Sequence, residues 1–263
     1  MQRRQFLTAS LAASAAAAVR GVSAQTAQAG RQEFYQIRRY QLQSGPQGKL
    51  AADYFSVLIP ALNRLGMRPV GALQLKFGPE TPANYLIIPS NSVESLVTID
   101  QQLAKDGEFL KSADAFWNAP DAAPAFVRVE SWLLSAFAGW PRLTVPTMTA
   151  TGAKRIFQLR TYESPSMRDH VRKIEMFHSG EFEIFKNSGA QPVFFGDTLI
   201  GSRMPCLTYM LSFEDDAQMD KDWETFGSDP QWKKLVAEPR FALEATVSNI
   251  SNLVLGPLPV SQI

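Results

Sequence analysis

Glu175, His178 and Glu181 follow one another at three-residue steps in KIEMFHSGEFEIFKNSGA, residues 173–190. An imidazole between two carboxylates can relay protons near neutral pH, and the same groups can ligate a metal. On a helix each step of three residues turns the side chain by about 60°, so the three groups fan over about 120°. Such a fan converges badly on one ion, and no cysteine is near, so no metal site is expected. Two readings remain. Glu175, His178 and Glu181 form the polar wall of a pocket, with His178 as acid–base or ligand-donating group, or they form the solvated side of a helix. His170 is the other histidine, and its charged neighbours Arg168, Asp169, Arg172 and Lys173 place it at the surface.

The elements that carry these residues are written twice. FYQIRRY at 34–40 matches IFQLRTY at 156–162 at an offset of 122, through Gln36, Arg38 and Tyr40 against Gln158, Arg160 and Tyr162. LGMRPVG from Leu65 matches SGAQPVF from Ser188 at an offset of 123, and DAFW at 114–117 precedes its counterpart DPQW at 229–232 by 115. The shared order over about 100 residues indicates a duplication.

Each copy reads strand, helix, strand, strand, helix, strand. In the first copy residues 33–41 alternate as a strand and residues 47–65 carry Leu50, Tyr54, Leu58, Leu62 and Leu65 at helical spacing before Gly66. Two apolar runs, 68–77 and 83–89, flank the turn signal FGPETP, a helix with Asn91 and Glu94 at capping-box spacing spans 92–104, and a strand over 124–134 closes the unit. In the second copy Ser164 and Pro165 read as N-cap and first helical residue, and the helix runs to Gly189. The domain reading is repeat 1 over 33–135, a Pro-, Gly- and Thr-rich linker over 136–152, repeat 2 over 153–256 and a tail over 257–263.

This order gives an α+β fold: two ferredoxin-like βαββαβ repeats, each with both helices on one face of a four-stranded antiparallel sheet. The bare faces need cover, and the simplest cover is the sheet of the other copy, which makes an intrachain, pseudo-dimeric α+β barrel. Anchoring the first helices on Gly66 and Gly189 sets Glu175, His178 and Glu181 opposite Ala52, Phe55 and Leu58; a slip of one residue would set His178 opposite Ser56. Arg38 and Arg160 point into the barrel to bind an acid, face the solvent side of the sheet or meet a helix carboxylate, and Tyr40 and Tyr162, which close the same strands, are binding groups or packing residues with a bonded hydroxyl. No phosphate-binding loop and no Gly-x-Ser-x-Gly elbow stands out.

The first residues read as an address. Arg3 and Arg4 precede Phe6-Leu7 and an Ala-rich stretch too short to span a bilayer, and Val22-Ser23-Ala24 fits a cleavage site. Residues 1–24 are therefore expected to be a twin-arginine signal peptide, residues 25–32 a mature tail, and the protein periplasmic or otherwise exported, with no transmembrane segment after cleavage. The net charge of +1 and the interspersed charges give no reason to expect a nucleic-acid partner. Cys206 is the sole cysteine, which excludes an intrachain disulfide.

LRTY at 159–162, the EMF and GE segments of the next helix, VFFG at 193–196 and DPQW at 229–232 resemble the NIPSNAP family, best over 154–240 and more weakly over 33–134. The resemblance is to exported bacterial members with tandem NIPSNAP domains and implies the dimeric α+β barrel superfamily, whose members include aromatic-ring monooxygenases and haem proteins. It carries over no mechanism, so the molecular function and the cofactor stay unknown. Three readings stand. One is a periplasmic barrel binding a small hydrophobic ligand or a protein partner. Another is a monooxygenase-like or isomerase-like enzyme on a hydrophobic small molecule. The third is a carrier of haem or another cofactor, with His178 or Met176 as ligand. All three leave homo-oligomerisation open.

Overall fold

The computed structural model describes residues 32–263, so the expected signal peptide and nearly all of the 25–32 tail lie outside the described residues. The strands are β1 (Phe34–Gln41), β2 (Gly71–Phe77), β3 (Ala83–Ser90), β4 (Arg128–Ala136), β5 (Ile156–Glu163), β6 (Gln191–Ile200), β7 (Cys206–Phe213) and β8 (Asn249–Pro257). The helices are α1 (Pro46–Arg64), α2 (Val93–Val97), α3 (Ile99–Leu103), α4 (Gly107–Trp117), α5 (Thr147–Thr151), α6 (Met167–Met176), α7 (Phe182–Ser188), α8 (Asp216–Ser228) and α9 (Pro230–Val236), with a short α10 at Leu243–Thr246.

Alternation along the strands decides the architecture. Every strand pair is antiparallel, and the order β1-β3-β2-β8-β5-β7-β6-β4 closes on itself. Each half contributes a ferredoxin-like sheet, β4-β1-β3-β2 and β8-β5-β7-β6. The two sheets join edge to edge where β2 meets β8 and β4 meets β6, so no strand edge is left open. Tyr35 and Ile37 of β1 and Phe157 and Leu159 of β5 point inward to a shared core. The intervening residues Tyr40 and Tyr162 point outward, each into the apolar layer under the helices of its own half. Ile263 reaches the same inner core, its side chain lying so close to Gly71 that a Cβ there would stand 2.5 Å from Ile263 Cδ1.

Several expected boundaries move for local reasons. Ser92 rather than Asn91 caps α2, accepting from Ser95 N at 3.2 Å, and Thr98 ends α2 so that the expected 92–104 helix is two short ones. Ser166, not Ser164, caps α6, accepting from Asp169 N at 3.2 Å. The 137–140 stretch of the expected linker forms a Phe137–Trp140 bridge and packs against the second half's core.

The register between halves shifts inside one helix. Between α6 and α7, residues Phe177–Glu181 form a π-turn in which Gly180 takes φ +139°, a conformation open to glycine. Up to Phe177 the buried positions correspond at the β-strand offset of 122: Gln47, Ala51, Tyr54 and Phe55 against Asp169, Lys173, Met176 and Phe177. From Glu181 onward they correspond at 123: Leu58, Ile59, Ala61 and Leu62 against Glu181, Phe182, Ile184 and Phe185. The π-turn thus holds the one extra residue of the second half. It corrects two of the sequence-based pairings. Glu175 stands opposite Asp53 and His178 opposite Ser56, while Glu181 keeps Leu58.

Candidate functional site

Glu175, His178 and Glu181 do not converge in space. Glu175 is exposed and pairs with Arg240 Nη1 at 2.9 Å. His178 is exposed too; its Nδ1 donates to Ile174 O at 2.9 Å while its Nε2 accepts from Gly139 N at 3.0 Å, a pattern that fixes the Nδ1–H tautomer. Both ring nitrogens are occupied by backbone, and the ring rests against Phe137 and Phe182, so His178 pins the 137–140 segment onto the helix. Glu181 turns inward to Lys173, at 2.9 Å, with each side chain 2% exposed. His170, expected at the surface, is buried and bonds Asp197 Oδ1 through Nε2 at 2.7 Å.

The Lys173–Glu181 pair sits among aromatic rings on the outer side of the second sheet. Lys173 Nζ lies 4.7 Å from the Phe177 ring centre and 3.3 Å from Met176 Sδ. Tyr162 and Tyr209 share a hydroxyl contact of 2.8 Å beneath it. Burial pushes the Glu181 carboxyl above the usual carboxylate range, with Lys173 and then Arg160 pulling it back. Arg160 lies 4.3 Å over Trp223 of α8. In the first half Arg38 meets a carboxylate instead, donating to Asp100 Oδ1 at 2.8 Å and to Gln36 Oε1 at 2.8 Å. Arg38, Tyr40, Arg160, Tyr162 and Met176 therefore belong to the layers between sheet and helices, and none of them lines the barrel interior. The alternation that sends Tyr35 and Ile37 inward sends Arg39, not Arg38, inward with them.

Arg39 lines a cavity of about 220 Å³ at one end of the barrel, beside the loops that join β2 to β3 and β6 to β7. One wall belongs to the first half: Ile37, Arg39, Pro79, Tyr85 and Trp132. The facing wall belongs to the second and is richer in hydroxyls: Leu159, Thr161, Thr198 and Thr208, with Arg203 and Cys206. Arg39 stands opposite Tyr85 across β1 and β3, and Thr161 stands opposite Thr208 across β5 and β7, their hydroxyls 2.9 Å apart. These two pairs occupy equivalent places in the two halves. The duplication has thus kept the apolar barrel middle and diverged at the cavity.

The electrostatics favour binding over nucleophilic chemistry. Burial pushes the Tyr85 phenol up, against the pull of the Arg39 guanidinium, so it stays protonated and can donate. Burial also pushes the Cys206 thiol up, away from the thiolate a nucleophile needs. At 220 Å³ the cavity falls below the roughly 300–1,000 Å³ of sites for drug-sized ligands, so it does not fit a haem.

A closed eight-stranded barrel of two ferredoxin-like halves, with helices outside and a cavity at one end, defines a dimeric-type α+β barrel folded from a single chain. Over residues 157–262 the chain matches the NIPSNAP family model. No curated protein matches the sequence. Among solved structures, the chain is similar to a candidate monooxygenase from Lactobacillus acidophilus at 10% identity, over 86% of this chain and 94% of the other, with a TM-score of 0.55. A candidate monooxygenase from Fusobacterium nucleatum matches at 8% identity over 87% and 94%, with a TM-score of 0.51. A NIPSNAP-like domain protein from Burkholderia xenovorans matches at 15% identity over 40% of this chain and 86% of its own, with a TM-score of 0.36. At such identities the likeness to the two larger structures is one of fold.

Proposed function

We propose that the protein is an exported small-molecule-binding α+β barrel whose ligand occupies the cavity between Trp132 and Thr208. The observation that carries this reading is the cavity itself, an apolar space closed by both halves and supplied with a few convergent donors. An apolar cavity of about 150 Å³ holds a benzene molecule, so 220 Å³ admits one substituted ring. Leu159→Trp fills that space from the barrel wall. Ligand-observed NMR with single-ring compounds should show binding to the wild type and none to this variant, and equal binding to both would overturn the assignment. Export is the second part of the reading and rests on Arg3-Arg4 and the Ala-rich stretch. Changing both arginines to lysine should leave the protein in the cytoplasm of a host with the twin-arginine route.

The fold shared with candidate monooxygenases supports a second reading, in which the bound compound is oxidised in the same cavity. Oxygen uptake that depends on a cavity ligand and disappears in Leu159→Trp would favour it.

A further inference from the structure

We propose that the cavity takes a neutral, single-ring carbonyl compound whose oxygen is held by Arg39 and Tyr85. The inference rests on the binding reading above and specifies the ligand.

The charge around the cavity mouth is already balanced. Arg39 pairs with Glu80 at 2.5 Å and with Glu130. Arg128 sits 3.2 Å from Glu80 and 3.6 Å from Glu130. Arg203 lies 3.8 Å from Glu163 and donates to Ser251 Oγ at 2.6 Å. Three cations face three carboxylates, so no surplus charge is left to select an anionic or cationic ligand. What is left on the first-half wall is donor capacity. The Arg39 Nε–H is buried without a partner. A guanidinium has donors only, and a buried donor left unmade is costly, so this group asks for an acceptor. Tyr85 stands across the strand pair from Arg39 in the same wall and keeps its phenolic proton to donate. On the facing wall the Thr161 and Thr208 hydroxyls bond each other, which uses one O–H and leaves the other free to donate. The remaining surface, from Ile37, Trp132, Leu159 and Leu253, is apolar and suits the faces of a ring. A carbonyl carried on one ring meets all three conditions: no charge, an acceptor oxygen, and a flat apolar body.

Four compounds of similar size separate the possibilities: acetophenone (neutral acceptor), ethylbenzene (no acceptor), benzoate (anion) and benzylamine (cation). Their dissociation constants are measured by ligand-observed NMR titration against the wild type, Tyr85→Phe and Arg39→Met. Acetophenone should bind at least about tenfold tighter than the other three. Tyr85→Phe and Arg39→Met should each cost it about tenfold and leave ethylbenzene unchanged. Tyr85→Phe removes a single oxygen, so the test stands even if Arg39→Met fails to fold. Equal binding of all four would overturn the carbonyl assignment and leave the cavity reading intact, as would a preference for benzoate or benzylamine. Undiminished acetophenone binding by Tyr85→Phe would overturn the assigned donor pair. Failure of all four to bind the wild type would overturn both readings.

Discussion

Lys173 and Glu181 form a buried ion pair, 2.9 Å apart, in the places that Ala51 and Leu58 fill in the other half of the same chain. The first half shows that these two positions can be filled by apolar side chains. A buried pair usually recovers little more than its own desolvation cost, and removing one partner leaves a stranded charge. Lys173→Met alone should therefore lower stability by about 3–5 kcal/mol, whereas Lys173→Met with Glu181→Leu should return it to the wild-type value or above. Urea unfolding of the three proteins checks this. A double variant as unstable as the single one would mean that the pair is needed for the packing of the second half.

The extra residue of the π-turn gives a second test. Gly180 at φ +139° occupies backbone space that a side chain strains, so Gly180→Ala should cost about 1–3 kcal/mol. Deleting Gly180 instead removes the insertion and lets the helix run on as α1 does. The deletion should be more stable than Gly180→Ala in thermal melts. If it is less stable, the bulge is tied to something beyond the local turn.

How far the sequence discloses this protein depends on which property carries the information. The duplication, the strand–helix order and the barrel follow from period-two and helical patterns, and those patterns are set by burial. The π-turn is encoded only as a change of offset from 122 to 123, which locates an insertion somewhere between Tyr162 and Gly189 without saying where. That is why His178 aligns with Phe55 on paper and with Ser56 in the fold. The cavity was hidden for a different reason. Arg38 and Arg39 are adjacent in FYQIRRY, and only the closure of the barrel decides which of the two faces inward. Thr161, Thr198 and Thr208 carry no motif, and the edge pairings that bring the two halves together join strands distant in sequence.

Asp106 links pH to the first half's helix packing. Its carboxylate accepts from Phe109 N at 2.9 Å as the cap of α4 and from Arg64 Nη2 of α1 at 2.6 Å. The cap bond first, and then Arg64, hold its pKa below the usual carboxylate range. A carboxyl depressed by folding contributes stability above its unfolded value, about pH 4, and loses it as pH falls through the folded one. Asp106→Asn keeps a capping side chain but cannot titrate. Denaturant unfolding between about pH 2 and 7 should show the wild type more stable at neutral pH and the two proteins converging in acid. Parallel curves would mean that this carboxylate does not set the acid limb.

His178 provides the control that separates structure from site. Its ring bonds only backbone, at Ile174 O and Gly139 N, and it takes no part in the cavity lining. Phenylalanine keeps the aromatic contacts with Phe137 and Phe182 and loses the two hydrogen bonds. Exposed bonds of this kind are worth about 0.5–1.5 kcal/mol each at most, since water replaces the lost partner. His178→Phe should therefore destabilise modestly, loosen the 137–140 segment in hydrogen exchange, and leave every cavity ligand bound as before. Loss of ligand binding in a folded His178→Phe protein would move the functional site from the barrel mouth to the helix layer, and the reading of Arg39 and Tyr85 would fall with it.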